Sequence, residues 1–288
     1  MHADPKPYVL AMSFALTFGS ALLPTGNPQN FLLAARGNIS FLHFALLAFL
    51  PTFLALMTSF FFLRSIYKTD LQEDVMPKDP LSLEIHPYPY MRKTGLLALL
   101  SMIVGMIVSS FLNLSMAVTI LVVVGVFLFF TPDRDTLLSK MDWSVFLLFS
   151  GLFIIEDFII RDPIIFHEAI ALMNRLQPNY QGFVIFSLAL FVISQLISNV
   201  PAAILISQLL PHTTLNLPIF WITAAIITTF AGATTVLGAA SNILVIQVSE
   251  KRGLKISWWE FTRIGLPLSC LILAEMILSG LVWFKFVV

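Results

Sequence analysis

From Leu176 to Ser249 the chain runs without one Asp, Glu, Lys or Arg. A soluble domain, with about 25% charged residues, cannot hold so long a charge-free run, but a bilayer can. Crossing one by helix takes about 20 apolar residues, so two ordinary spans and a loop would fit. The polar interruptions lie in the wrong places for that. In FVISQLISNVPAAILISQLLP the arms around Ser198-Asn199-Val200-Pro201 hold only about 12–15 residues each, too short to cross. This predicts a re-entrant hairpin over 183–211, entering and leaving on one side. The second part, ITAAIITTFAGATTVLGAASNILVIQ, is long enough to cross. Its centre is all small or hydroxylated residues: Gly232, Thr234, Thr235, Gly238, Ala239, Ala240, Ser241 and Asn242. Segment 217–248 therefore reads as a broken helix.

A third interruption sits near the start. Tyr8 to Ala35 is also free of charge, yet its middle is PTGNPQN, which contains Thr25, Gly26, Asn27, Gln29 and Asn30. Irregular backbone at membrane depth survives only where protein buries it or where it lines a wet cavity. Transporters use such breaks, aiming helix N-termini at anions and freed carbonyls at cations. The competing explanation is a proline kink with small residues for tight helix packing; three interruptions in one chain favour the binding site.

The composition agrees with a membrane protein: 58% of residues are hydrophobic and 11% charged. Spans are expected at 8–33, 39–64, 95–112, 115–131, 143–160, 217–248 and 257–285, about seven in all. Zero net charge leaves no footprint for nucleic acid. Cys270, the single cysteine, excludes an internal disulfide and a cysteine-built metal site. Lys and Arg cluster in the polar segment 64–93, in loops 132–142 and 249–256 and at the N-terminus. These regions are therefore expected to be cytoplasmic in an inner or plasma membrane.

The first and third interruptions repeat each other. Both contain G-x-x-x-N (Gly26/Asn30 and Gly238/Asn242), followed by Arg-Gly (Arg36-Gly37 and Arg252-Gly253). Ile-Ser-aromatic comes next (Ile39-Ser40-Phe41 and Ile256-Ser257-Trp258), then Leu-Pro (Leu50-Pro51 and Leu266-Pro267). With the topology above, the two copies cross in opposite directions, as inverted repeats do. The expected organisation is 1–67 as the end of a first repeat and 68–93 as a cytoplasmic linker. The second repeat, 94–288, holds three helices, a surface helix over 162–177, the hairpin, the broken helix and a final helix at 257–285.

These residues resemble the ion-transporter superfamily of arsenite permeases, NhaD-type sodium/proton antiporters, citrate carriers and divalent-anion symporters. Each half there ends in a hairpin tipped by Ser-Asn-Thr or Asn-Asn-x-Pro, then a broken helix and a final helix. Ser198 and Asn199 match the first form until Val200 replaces threonine; Asn199 and Pro201 match the second. GNPQN (26–30) and GAASN (238–242) are similar to the broken-helix loops, and MDWSVFLLFSGLFII (141–155) to the segment before the hairpin. The resemblance implies an all-α, polytopic, inverted-repeat transporter. Its substrate and ion site would be lined by Ser198, Asn199, Val200, Pro201, Thr25, Gly26, Asn27, Gln29, Asn30, Thr234, Thr235, Gly238, Ala239, Ser241 and Asn242. No cofactor is expected beyond a coupling sodium ion or proton. The absent threonine argues against dicarboxylate recognition. The part of the first repeat that precedes Gly26 is too short to include a hairpin of its own. An N-terminal half outside this chain, or a homodimer, is expected to supply it.

Glu275, midway along the last helix, is a candidate proton carrier or a structural carboxyl. Glu156, Asp157 and Arg161 read as an interfacial ion cluster. His167-Glu168 starts like a zinc-protease motif, but Ala171 stands where the second ligand belongs. His43 and His212 read as interfacial. No nucleophile–base or metal-protease arrangement sits in the breaks, which argues against an enzyme. An ion-coupled carrier for a small anion is favoured over a sodium/proton antiporter, because the breaks hold hydroxyls, amides and bare backbone but no carboxylate. A transport-incompetent fragment of such a permease is the remaining alternative.

Overall fold

The computed structural model describes residues 5–68, 89–131 and 161–286, with a broken set between 134 and 158. The described residues form helices and no strand. In chain order these are α1 (Lys6–Gly19), α2 (Pro28–Arg36), α3 (Phe41–Ile66), α4 (Pro89–Leu112), α5 (Met116–Phe130) and α6 (Arg134–Ser139). After them come α7 (Pro163–Asn174), α8 (Tyr180–Ile197), α9 (Asn199–Leu209), α10 (Pro218–Ala231), α11 (Ala240–Glu250) and α12 (Trp258–Phe286). Among them Phe41–Ile66, Gly95–Leu112, Tyr180–Ile197 and Trp258–Lys285 are long and apolar enough to cross a membrane. The chain is an integral, all-α, polytopic membrane protein. The span expected at 143–160 lies outside the continuously described residues, as does most of the linker. The linker ends earlier than expected, because α4 already starts at Pro89, a residue whose fixed φ suits the first turn of a helix.

Both interruptions of the repeat are breaks between two short helices. α1 ends in a short 3-10 turn (Ser20–Leu22) and the chain restarts as α2 at Pro28. α10 ends at Ala231, passes a 3-10 turn (Val236–Gly238) and restarts as α11 at Ala240. Asn27 caps α2 by accepting from the Asn30 backbone N–H, so the residues that stop one helix start the next.

Segment 180–209 doubles back on itself. Thr214, just past α9, donates through its backbone N–H to Asn174 Oδ1 at 2.9 Å and through its hydroxyl to the Leu176 carbonyl at 3.3 Å. The end of the pair thus returns to the residues before its start. The arms are less equal than the sequence suggests: α8 has 18 residues and α9 has 11. The Asn179 side chain caps α8 at the Gly182 N–H, so this arm begins early. The turn is not the four residues Ser198–Pro201 but Ser198 alone, with φ 71° and ψ 162°. Asn199, Val200 and Pro201 already form the first turn of α9, where a proline forfeits no helical hydrogen bond.

α10 lies at the centre of the packing. Every residue from Ile219 to Ala231 is buried, with α8 and α9 on one side and α1, α2, α3 and α12 around the rest. α4 and α5 pack on each other and, through α4, on α3. On α5, Leu121 and Phe129 are exposed among the described residues.

Candidate functional site

Each break is held by its own asparagine, and both are held in the same way. Asn30 is fully buried; its Nδ2 donates to the Ser20 carbonyl at 3.1 Å and the Leu23 carbonyl at 3.2 Å, ten and seven residues back. Asn242 is fully buried too; its Nδ2 donates to the Gly232 carbonyl at 2.9 Å and the Thr235 carbonyl at 3.1 Å, again ten and seven residues back. One constant offset along the chain therefore carries Asn30 onto Asn242, Ser20 onto Gly232 and Leu23 onto Thr235. Gly26 and Gly238 obey the same offset. A Cβ on Gly26 would lie 2.0 Å from the Ser20 carbonyl oxygen, and one on Gly238 2.4 Å from that of Gly232. Each glycine lets its loop fold back onto the carbonyl six residues earlier.

The two clasps are then linked to each other. Asn30 Oδ1 accepts from the Thr229 hydroxyl of α10 at 3.0 Å, and Asn242 Oδ1 accepts from the Thr17 hydroxyl of α1 at 2.9 Å. The same offset carries Thr17 onto Thr229, so each repeat donates the same bond to the other. Ser13 adds a second donor to Asn242 Oδ1 at 2.8 Å. Sequence reasoning missed Ser13, Thr17 and Thr229, which look like ordinary helix residues. A signal was present in the spacing: Thr17 stands as far before Asn30 as Thr229 stands before Asn242.

Asn30 and Asn242 were expected to line the site, but their side-chain donors and acceptors are used on the loops and on the opposite repeat. They shape the breaks and do not face the opening. Ser198, Pro201, Thr25, Thr234, Thr235 and Gly238 do not line it either. Thr25 and Ser198 are exposed, while Thr234 is buried with a hydroxyl that has no partner among the described residues.

What the structure does bring together is a cavity of about 650 Å³. Gly26, Asn27, Pro28 and Gln29 line it from the start of α2, Asn199 and Val200 from the start of α9, and Ala239, Ala240 and Ser241 from the start of α11. Three helix N-termini therefore meet at one opening, and the described residues that line it include no charged side chain. Each end carries first-turn N–H groups without helical partners and about half a positive charge. Two carboxamides add to this. Asn199 is 8% exposed; its Oδ1 accepts the Val200 N–H at 2.8 Å and the Ser198 hydroxyl at 3.4 Å, which leaves Nδ2 without a partner among the described residues. Gln29 is 4% exposed, and its amide makes no hydrogen bond among them. Ser241 pairs with the Thr17 hydroxyl at 3.1 Å, and Asn27 Nδ2 reaches Ser20 Oγ at 3.1 Å and Thr229 Oγ1 at 3.0 Å. A cavity of similar size, about 670 Å³, opens beside Tyr8, Phe60, Phe61, Arg64 and Lys68. No helix break reaches it.

Glu275 is not among the residues that line the opening at the breaks. It accepts a hydrogen bond from the Thr58 hydroxyl of α3, and its Oε2 is buried without a partner among the described residues. Arg161 Nε donates to Asp157 Oδ2 at 2.7 Å, both exposed, so this pair is an ordinary surface ion pair; Glu156 lies outside the described residues. His167 Nδ1 meets the Pro163 carbonyl at 2.6 Å, and the His212 ring packs on Phe166.

The profile of the citrate transporter family matches residues 1–219. A 46 kDa membrane protein of Mycobacterium leprae is 24% identical over 302 residues, covering 99% of this chain and 69% of that protein. An uncharacterized transporter of Mycobacterium tuberculosis is 25% identical over 299 residues with the same coverage. A silicon efflux transporter of Oryza sativa is 23% identical over 335 residues, covering 93% of this chain and 69% of the relative.

Proposed function

The chain belongs to the citrate transporter family, a membrane permease and not an enzyme, and from that premise we propose that it carries a small inorganic or organic anion. The observation behind this reading is the meeting of three helix N-termini, with the amides of Gln29 and Asn199, at one uncharged cavity. Each of the three ends contributes partial positive charge, and no cationic side chain is among the described residues that line the cavity. No carboxylate is among the described residues that line the cavity, which favours an anion carrier over an antiporter that exchanges cations on an acid. Sodium ions or protons supply the driving gradient, with the N-terminus and the 68–93 linker on the cytoplasmic face. The reading is tested in liposomes containing the purified chain, by uptake of labelled citrate, arsenite or silicate under an imposed sodium or pH gradient. Asn199→Ala and Gln29→Ala each remove a hydrogen bond to a charged ligand, worth about 1.5–3 kcal/mol, so uptake of the transported anion should fall about ten-fold or more. Uptake unchanged in both variants refutes the site.

A further inference from the structure

The second large cavity, of about 670 Å³, is built differently from the one at the breaks. It lies between the start of α1 and the end of α3. Tyr8 and Ala11 line it from α1, and Phe60, Phe61 and Arg64 from α3, with Lys68 just past the helix end. Phe60 and Arg64 are four residues apart, one above the other on the same helix face. The wall therefore changes from aromatic to cationic along α3.

That change coincides with the edge of the membrane. α3 has 26 residues, a length of about 39 Å against about 30 Å of hydrocarbon. It is long and apolar enough to cross. Arg64 lies in its last turn, where hydrocarbon gives way to headgroups, and Phe60 lies one turn deeper. Neither the Arg64 nor the Lys68 head group has an ion-pair partner among the described residues.

Basic residues at the end of a span have ordinary uses: they orient the chain in the membrane and suit the negative end of a helix dipole. Neither use calls for a cavity or for aromatic walls. A free anion would satisfy the two cations and leave the apolar walls unmatched. A zwitterionic lipid would fill the walls but bring a cation of its own to the two charges. An amphiphile with a negative head and a hydrocarbon tail matches both ends.

We propose that this cavity is a binding site for one anionic phospholipid. Its phosphodiester is held by Arg64, whose fork suits paired phosphate oxygens, together with Lys68. Its acyl chain lies along Phe60 and Phe61. The volume falls within the range of about 300–1,000 Å³ found for sites that hold a single ligand. The proposal is independent of what the cavity at the breaks binds.

The test is native mass spectrometry of the purified chain in detergent, titrated with phosphatidylglycerol or with phosphatidylcholine of identical acyl chains. One phosphatidylglycerol per chain should bind about ten-fold or more tightly than phosphatidylcholine. In the Arg64→Gln/Lys68→Gln variant, which alters two exposed side chains, the two lipids should bind equally. Arg175→Gln, at an exposed cation elsewhere, should keep the parent's preference. Inorganic phosphate at the same concentration as the lipid should not displace it. Equal binding of the two lipids by the parent, a preference that survives in Arg64→Gln/Lys68→Gln or vanishes in Arg175→Gln, or displacement by inorganic phosphate would each overturn the proposal.

Discussion

Asn242→Ala separates a clasp from a ligand group. Four hydrogen bonds end on this side chain: two to carbonyls, at Gly232 and Thr235, and two from hydroxyls, at Ser13 and Thr17. They are not equally costly to lose. The Thr235 carbonyl keeps the Gly238 N–H at 3.1 Å, and the two hydroxyls can turn to carbonyls of their own helix. The Gly232 carbonyl has no such substitute, and a buried polar group left unpaired costs about 1–3 kcal/mol. Adding about 0.5–1.5 kcal/mol for one further net bond, Asn242→Ala should destabilise the fold by about 3 kcal/mol. Thr17→Val removes one donor and should cost about 1 kcal/mol. Because that bond is counted in both variants, the double variant should fall short of the sum by about 1 kcal/mol, the signature of residues in contact. The assay is reversible unfolding in mixed detergent micelles, followed by tryptophan fluorescence. An Asn242→Ala protein that is as stable as the parent yet has lost anion uptake would refute the clasp and restore Asn242 to the binding surface.

Three further outcomes follow from named contacts. Gly26→Ala and Gly238→Ala each drive a Cβ into a backbone carbonyl, so both should abolish the yield of monodisperse protein in detergent; Gly19→Ala, with nothing within 4 Å of its Cβ, should not, and equal yields from all three would refute the close approach. Ser198 holds φ 71°, a conformation costing a non-glycine residue about 1–3 kcal/mol, so Ser198→Gly should unfold later than the parent and Ser198→Val earlier; the reverse order would show that the turn is not strained. If Glu275 carries a coupling proton, Glu275→Gln should keep substrate counterflow in liposomes and lose pH-driven uptake at least ten-fold; pH-driven uptake equal to the parent's refutes that role.

The breaks were legible because their causes are local. Proline, glycine and asparagine interrupt helices wherever they stand, and the G-x-x-x-N repeat announced two copies of one device. The direction in which Asn30 and Asn242 point was not legible. That depends on Thr229 and Thr17, each remote in the chain from the asparagine it contacts, and nothing in GNPQN or GAASN alone separates a side chain folded onto its own loop from one turned to a cavity. The hairpin's turn is tighter than the sequence suggests for a different reason. Pro201 looks like part of the bend, but in the first turn of α9 it needs no N–H partner, and Ser198 alone takes a positive φ. Gln29 and Asn199 lie at the cavity wall, yet the sequence could not distinguish them from the asparagines that turn away from it.

The sign of the charge proposed for this site's guest rests on what each break leaves unsatisfied. A broken helix frees both kinds of group: carbonyls at the end of its first half and N–H groups at the start of its second. Near the ends of α1 and α10 several freed carbonyls have taken partners. Ser20, Leu23, Gly232 and Thr235 give theirs to the two clasp asparagines, and Ala231 gives its own to Gln195 Nε2 at 3.1 Å. The N–H groups of Gln29, Ala240 and Ser241 have no such takers among the described residues, and these three residues lie at the cavity wall. Under the proposed function, these free donors are what an acceptor-rich, negatively charged guest would meet. Had the asparagines turned their oxygens to the N–H groups instead, the same breaks would have presented carbonyls and suited a cation. On the proposed reading, an anion preference would rest on two buried asparagines that lie off the cavity wall, each accepting a hydroxyl from the opposite repeat.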